Sequence, residues 1–592
     1  SIVLLPERPM KRRAADPRVG YFSTGFVDYD SQSTKNISFI KRWRLEPFEA
    51  DMEKYRHGEL VAPQKPIVFY IDPATPKKWV PYLIQGVNDW QKAFEKAGFK
   101  NAIYAREAPS KEEDSTWSLE DARFSAIVYK ASPVTNASGP SIADPRSGEI
   151  LESHINWYHN ITELLYNWYL IQASPSDSAA RATEFGEELM GQLIRFVSSH
   201  EVGHTLGLRH NFGSSSTVPV DSLRNQAWLD KHGHTPSIMD YARFNYVAQP
   251  EDHISRSGLF PKINDYDIWA IEWGYRLFPD ISSIKEEKKF LNTWIIDKTK
   301  NKRLWFGSEM NLTDPRTQSE ALGDDAFKAG LYGIKNLKFI LPKLREWVYA
   351  PGEDYSSLRN LYLNLASQFS LYLRHVRVNI GGQYSTYKTM DEKGSLYQVV
   401  PKAVQQKAVQ FLNEQLFKTP AWLLDMELFA RIGMDAQDFI MGLQDPVLRE
   451  ILSSHTLVAL NSATTEEPLN AYTISAFLME IRSGIWGELK TNSLIDIYRR
   501  NLQKKHIEIL SKLIVPKNSV SAGALNLPPG FTAVSAADPY DFDICSIVKI
   551  HLKELRSAIT KSMSLVHDRY TKYHLQDCIE RITMALDDKT KK

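Results

Sequence analysis

The chain contains 592 residues, of which 43% are hydrophobic and 24% are charged. A chain this long exceeds what one hydrophobic core can hold, and its average composition excludes a disordered or fibrous protein, so we expect a multidomain globular protein. Lys and Arg number 72 and Asp and Glu number 71, a balance that gives no support for a nucleic-acid partner. No run of about 18 apolar residues occurs, so the sequence predicts no transmembrane segment.

The first third of the chain mixes strand and helix signals. Residues 1–65 carry short aromatic and β-branched stretches among many charges, and they predict a strand-forming segment without a motif of its own. From residue 66 the pattern predicts a strand (PIVFYID), a helix that Gly98 ends (VPYLIQGVNDWQKAFEKAGF) and two further strands (NAIYARE and ARFSAIVYKAS). A turn at 144–148, an extended segment (GEILESHINWY) and a long helix that ends at Gly207 (EFGEELMGQLIRFVSSHEVGHTL) follow.

The remainder of the chain is predicted to be mainly α-helical. Amphipathic stretches dominate from about residue 327, after a polar loop at 314–325, and a stretch with Pro, Ser and Gly at 516–541 interrupts them. The two cysteines, Cys545 and Cys578, either pair or remain buried thiols. The predicted fold class is α+β.

The strongest chemical signal lies at the end of the long helix, in the stretch SSHEVGHTLGLRHNF. His200 and His204 are four residues apart, so one helical face carries both imidazoles, and Glu201 can approach a water on a shared ion. Catalytic zinc normally takes three protein ligands. Gly207 ends the helix, because glycine adopts the left-handed cap without strain, and the returning chain presents His210 as the third ligand.

Few other residues could serve as the third ligand in place of His210. In one large class of HExxH enzymes the third ligand is a Glu on a later helix, but no Glu occurs between residues 202 and 250. His232 and His234 remain alternative ligands, although their spacing favours ordinary loop residues. His154 and His159 precede the helix and are predicted to be structural.

The full motif HEVGHTLGLRH resembles the signature of the metzincin zinc peptidases. Metzincins also carry a methionine turn that forms an apolar base beneath the zinc, and PSIMDY places Met239 at that position. The resemblance covers about residues 66–278 and ends with NDYDIWAIEWGYRLF. Asn211 differs from the residue that marks the best-known branches. With LRHNF, YGIKNLK, PAWL and the long helical region, the chain resembles a group of large bacterial zinc-dependent metalloproteases.

This resemblance implies three regions and a mechanism. The regions are the N-terminal segment 1–65, a metzincin-like catalytic domain at 66–278 with a mixed, twisted sheet and a long active-site helix, and a helical region at 279–592 of one or two subdomains. Zn²⁺ held by the three histidines would activate a water, with Glu201 as general base. Tyr241 would stabilise the oxyanion or would be structural. The segment GEILESHINWY resembles the edge strand along which metzincins bind an extended substrate, so peptides or proteins are the expected substrates.

Two other functions remain open from the sequence. One is a noncatalytic zinc-containing protein that binds peptides or surfaces, although such a protein would not need Glu201. The other is a zinc hydrolase that acts on a non-peptide amide. Precursors in the resembled group carry export signals and further N-terminal domains, so we expect an exported enzyme, whether periplasmic, envelope-associated or secreted, and a chain that is a fragment or processed form of a longer precursor.

Overall fold

The computed structural model of this chain describes residues 4–30, 32–515 and 543–587. Among them, no helix combines the length and the apolar character that crossing a membrane requires. The strands are β1 (Ser23–Asp28), β2 (Lys35–Ile40), β3 (Ile67–Ile71), β4 (Ile103–Glu107), β5 (Ser125–Lys130), β6 (Ala137–Ser138), β7 (Ile142–Ala143), β8 (Ile150–Glu152), β9 (His154–Tyr158), β10 (Gln383–Ser385) and β11 (Tyr397–Val399).

A five-stranded mixed sheet organises the first half of the chain. Its strand order is β4-β3-β5-β9-β6, in which the first four strands run parallel and β6 runs antiparallel to β9. Strand β3 is built from β-branched and aromatic residues and is buried along nearly its whole length, as expected for a parallel strand covered on both faces. Three antiparallel hairpins, β1-β2, β7-β8 and β10-β11, lie outside this sheet.

Helices cover the sheet and build the metal-binding segment. The helices of this half are α1 (Met52–Arg56), α2 (Val80–Asn88), α3 (Gln91–Lys96), α4 (Ile161–Ala173), α5 (Glu187–Thr205), α6 (Gln226–His232), α7 (Arg256–Leu259) and α8 (Asp265–Tyr275). The long helix α5 packs against α2 and also contacts β6 and β9. Close packing of α2 on α5 depends on Gly86, since a Cβ there would lie 2.5 Å from the Cβ of Ser198.

The second half is helical, as the sequence predicted. Its helices are α9 (Ile284–Lys298), α10 (Ala326–Ile340), α11 (Leu344–Trp347), α12 (Ser356–Arg377), α13 (Lys402–Leu412), α14 (Met426–Ile432), α15 (Ala436–Ile451), α16 (Ser454–Glu466), α17 (Ile474–Ile485), α18 (Glu488–Thr491), α19 (Ile497–Leu513), α20 (Ile544–Met563) and α21 (Arg569–Asp587). The α+β fold class, with a mixed sheet, a long metal-binding helix and a helical C-terminal region, is therefore confirmed. The stretch 516–541 lies outside the described residues.

Several local expectations need correction. The single helix expected at 80–99 is two helices, α2 and α3, and helix α4 was not predicted at all. The extended segment that resembled a substrate edge strand contains β9, but β9 pairs with β5 on one side and with β6 on the other. The prediction of an edge strand there is wrong, because the short strand β6 occupies that edge. Both cysteines are free and buried.

Candidate metal centre

The end of helix α5 is fixed by a glycine cap. The backbone N–H of Leu208 donates to the Gly203 carbonyl at 3.1 Å, and that of Gly207 donates to the His204 carbonyl at 3.0 Å. Gly207 has φ of +95°, and a Cβ there would lie 2.1 Å from the Lys41 carbonyl oxygen. This pair of bonds with a left-handed glycine is the Schellman arrangement, so the cap and the reversal that the sequence predicted at this glycine are present.

Distant residues satisfy the carbonyls that the helix end leaves without partners. The Trp43 indole donates to the Thr205 carbonyl at 2.8 Å, and the Tyr275 hydroxyl donates to the Leu206 carbonyl at 2.8 Å. Both donors are buried. The N-terminal segment and helix α8 thereby hold the last turn of the metal-binding helix in place.

Three imidazoles converge just beyond this cap. The Nε2 atom of His210 lies 3.3 Å from that of His200 and 3.1 Å from that of His204. Nitrogen ligands about 2.0 to 2.1 Å from a tetrahedral zinc would lie about 3.3 to 3.4 Å from each other. The observed spacing therefore fits one zinc ion held by three histidines, and these form the one group of metal-ligand side chains found among the described residues.

Hydrogen bonds orient two of the three rings. His200 Nδ1 lies 2.8 Å from the Ile238 carbonyl, and His204 Nδ1 lies 2.9 Å from the Leu208 carbonyl. Because a carbonyl only accepts, the proton belongs on Nδ1 in both rings, and Nε2 keeps its lone pair for a metal. Such partners are the usual means of fixing the tautomer of a metal-binding histidine.

Burial keeps the three ligands neutral. It lowers the pKa of His200 well below its usual range, with the neighbouring His204 and His210 adding to the effect. It also lowers the pKa of His204, and lowers that of His210 to about 3. Neutral imidazole is the form that binds metal, so protons do not compete for these nitrogens at neutral pH.

A buried turn lies beneath the ligands. Met239 is fully buried, and its sulfur would lie 2.3 Å from a Cβ added to Gly203 on the metal-binding helix. The Asp267 carboxylate accepts from the Ser237 hydroxyl at 2.6 Å and from the Ile238 backbone N–H at 2.8 Å. Since the Ile238 carbonyl orients His200, this turn connects helix α8 to a metal ligand.

Glu201 faces the edge strand of the sheet. Burial raises the pKa of its carboxyl to about 8, while a hydrogen bond from the Gly139 backbone N–H acts in the opposite direction. Gly139 directly follows β6, and a Cβ at this glycine would lie 2.4 Å from the Glu201 carbonyl oxygen. The residue that follows the edge strand therefore contacts both the backbone and the carboxyl of Glu201.

Tyr241 stands beside two of the ligands. Its ring centroid lies 4.3 Å from that of His210, 5.1 Å from that of His200 and 5.5 Å from that of Phe212, which also stacks on His210. Burial raises the pKa of the Tyr241 hydroxyl. The ring of Tyr241 thus lies next to two of the metal ligands, and its part in catalysis stays a prediction.

The other histidines do not join the centre. His232 stacks on Trp228, with ring centroids 4.2 Å apart, and neither His232 nor His234 belongs to the ligand group. His154 Nε2 bonds the Phe124 carbonyl, and His159 Nδ1 bonds the Tyr129 hydroxyl. These two contacts agree with the structural role expected for His154 and His159.

Asn211 has a role that the sequence did not reveal. Its side chain donates to the Trp305 carbonyl at 3.0 Å and accepts from the Gly307 backbone N–H at 2.8 Å. Its backbone N–H donates to the Met239 carbonyl at 2.9 Å. Asn211 thus joins the third-ligand loop, the methionine turn and a segment beyond residue 300. The sequence around Asn211 could not have indicated these distant partners. It showed only that Asn211 differs from the residue found at this position in the best-known branches.

Comparison with known proteins identifies the centre. A family model described as Met-zincin matches residues 182–493, slightly more than half of the chain, and a domain of unknown function matches residues 1–48. No curated protein and no solved structure matches. The first of these matches includes the helix, all three histidines and the methionine turn. With three neutral imidazoles at zinc spacing above a buried methionine, the chain belongs to the Met-zincin family of zinc metalloproteases.

Proposed function

We propose that this chain is a zinc-dependent endopeptidase in which Glu201 is the general base. Family membership supports zinc metallopeptidase activity in general. Family membership does not specify cleavage inside a peptide chain or a role for Glu201, and both are part of the proposal. The observation that supports the proposal is the contact of Glu201, which follows the first metal ligand on the same helix, with Gly139 at the end of the edge strand.

Each residue of the centre has a distinct task. A zinc ion held by His200, His204 and His210 would lower the pKa of a bound water to about 7 and polarise the substrate carbonyl. Glu201 takes a proton from the attacking water and returns it to the amine nitrogen of the departing product. Tyr241 donates its hydroxyl to the oxygen on which negative charge develops.

The free side of β6 supports binding of an extended substrate. This strand pairs with β9 through Ala137 and Ser138, and no described strand pairs with its other side. A peptide can therefore add to β6 through main-chain hydrogen bonds, which do not depend on its termini. That mode of binding favours cleavage inside a chain.

Export of the enzyme stays a prediction.

The test is cleavage of end-blocked, internally quenched peptides and of casein by wild-type protein and by Glu201→Gln. We expect the wild type to bind one zinc and to cleave both substrates. Glu201→Gln should keep its zinc and lose activity by about 10²- to 10⁴-fold, the usual contribution of a general base. The matched control is Glu187→Gln, an exposed carboxylate on the same helix, which should leave both measurements unchanged.

Three results would contradict the proposal. Cleavage only of peptides with free ends would indicate an exopeptidase. Hydrolysis of small amides without any peptide cleavage would favour the alternative hydrolase. Full activity of a zinc-loaded Glu201→Gln protein would remove Glu201 from the mechanism.

A further inference from the structure

An arginine lies one aromatic ring away from the histidine triad. The guanidinium carbon of Arg243 is 3.1 Å from the ring centroid of Trp168 and 4.8 Å from that of Tyr241. The ring of Tyr241 in turn packs on His210. A permanent positive charge is therefore held beside the place where a substrate would meet the metal centre.

The backbone at this arginine is strained, and so is that of its ion-pair partner. Arg243 has φ of 46° and Glu320 has φ of 64°, in the left-handed region that residues other than glycine rarely adopt. Nε of Arg243 lies 2.8 Å from a carboxylate oxygen of Glu320. Strain of this kind persists where surrounding structure enforces it, and it concentrates at functional sites.

Neighbouring amides make the pair rigid. Gln172 donates to Glu320 at 3.2 Å and to Gln368 at 3.0 Å, and its own oxygen accepts from the Phe244 backbone N–H at 3.1 Å. Gln172 lies on α4 and Gln368 on α12, so two helices hold the segment that carries Arg243. The guanidinium is thus positioned before any ligand arrives.

The hydrogen-bonding capacity of Arg243 is only partly used. Its side chain is 11% exposed and its Nε faces the Glu320 carboxylate at 2.8 Å, while no described residue accepts a hydrogen bond from its two terminal nitrogens. A guanidinium carries five N–H donors, and leaving buried donors without acceptors is costly. The two terminal nitrogens are therefore available to an acceptor on a ligand.

Charge at this position favours an anion. Glu320 carries one negative charge and interacts with both Arg243 and Arg374, so these three side chains together carry one net positive charge, and Glu201 lies on the other side of Tyr241. The three histidines nearby are neutral. A carboxylate is the anion whose two oxygens match the arginine fork.

On this geometry we infer that Arg243 is a specificity-determining residue, which binds the carboxylate of an acidic residue flanking the scissile peptide bond. The inference rests on the proposed endopeptidase function and gives it a substrate class: peptides with Glu or Asp beside the cleaved bond. Trp168 and Glu320 are the positioning residues, since they hold the guanidinium in place without contacting the substrate.

The first test compares residue preferences in a library of end-blocked, internally quenched decapeptides. Wild-type protein should prefer Glu over Gln at one position flanking the cleaved bond by at least tenfold in kcat/KM. Arg243→Met should bring that ratio to about one, because kcat/KM for the Glu peptides should fall by at least ten times more than kcat/KM for the Gln peptides. Arg243→Lys, which keeps the charge but loses the fork, should give an intermediate ratio.

The matched control is Arg224→Met. Arg224 also stacks on an aromatic ring, that of Tyr332, and pairs with a carboxylate, that of Asp252. Its substitution should leave the Glu-to-Gln ratio unchanged. An equal loss of both cleavage rates in Arg243→Met would overturn the inference, because it would indicate that Arg243 only supports Tyr241.

The second test measures binding without catalysis. A fluorescent Glu peptide and its Gln counterpart from the same library are titrated into zinc-loaded Glu201→Gln protein. The Glu peptide should bind at least tenfold more tightly, and adding Arg243→Met should abolish the difference. Equal binding of the two peptides overturns the inference. Glu-dependent binding without any cleavage by wild-type protein would support the carboxylate site and contradict the endopeptidase function.

Discussion

At the residue scale, the metal centre depends on side chains that never touch the metal. Asn211 is the clearest of these, since its amide bridges the third-ligand loop to Trp305 and Gly307. Its partner Gly307 lies 96 residues further along the chain. Substitution of residues that support a metal site typically lowers metal affinity tenfold to a hundredfold.

We expect Asn211→Ala to weaken zinc binding tenfold to a hundredfold, the range typical of such supporting residues. The substitution leaves the Trp305 carbonyl and the Gly307 N–H unpaired, at a cost of about 1 to 3 kcal/mol for each buried group. Zinc titration against a chelator and thermal unfolding measure the two effects. Asn211→Asp keeps the acceptor for Gly307 and should lie between wild type and Asn211→Ala.

The exposed Asn360 offers a control, since Asn360→Ala should change neither measurement. Unchanged zinc affinity in Asn211→Ala would mean that the 305–307 segment does not support the metal centre.

The sequence predicted the ligands because their geometry is local. Helix periodicity places His200 and His204 on one face, and the glycine cap determines where His210 returns. The supporting contacts of Asn211 and Gly139 could not be predicted in the same way. Each joins residues far apart in the chain, and neither residue type indicates its partner.

At the scale of single elements, the edge of the sheet is where prediction failed. The sequence predicted an extended segment at β9, and β9 is a strand. Its outer side is paired with β6, which contributes only Ala137 and Ser138 to the ladder. A strand of two residues carries no readable alternation. Helix α4 was missed for a different reason: its apolar residues are spread around the helix, so no amphipathic stripe distinguishes it.

The methionine turn and helix α5 are packed so closely that a substitution in one should alter the effect of a substitution in the other. A Cβ at Gly203 would approach the Met239 sulfur to 2.3 Å, so Gly203→Ala should destabilise the protein by about 1 to 3 kcal/mol through overpacking. Met239→Ala should cost about 2 to 5 kcal/mol through the cavity it leaves. The double variant should lose less than the sum of both, because the new methyl group enters the vacated space.

Urea unfolding of the four proteins, with zinc content measured in parallel, tests this coupling. Gly442→Ala is the matched control: it also lies in a helix, α15, but its added Cβ meets no atom within 4 Å, so it should be neutral or stabilising by up to about 1 kcal/mol. Strict additivity of Gly203→Ala and Met239→Ala would contradict the packing described for this turn.

At the scale of the whole molecule, helices from the second half of the chain form contacts that support the first half. Asn336 on α10 donates to the Tyr246 carbonyl at 2.9 Å and to the Ala248 carbonyl at 2.8 Å. Tyr246 packs on Tyr372 of α12, with ring centroids 4.6 Å apart. The sequence predicted the helical character of this region from amphipathic periodicity. It could not predict these contacts, because each depends on which helical face meets which loop.

These contacts bear on the predicted boundary at residue 278, which stays a prediction. We expect a shortened chain of residues 1–278 to be unfolded or insoluble and to bind no zinc at a defined stoichiometry. Tyr246 and Ala248, which follow the methionine turn, would lose their partners on α10 and α12. Asn211 would lose Trp305 and Gly307. A chain of residues 1–515 keeps all of these contacts and should retain one zinc and cleave short peptides. Circular dichroism, zinc content and peptide cleavage distinguish the two. A soluble 1–278 chain with one zinc and full peptidase activity would instead make the first half a self-sufficient catalytic domain, and the helices would then act only on access of larger substrates.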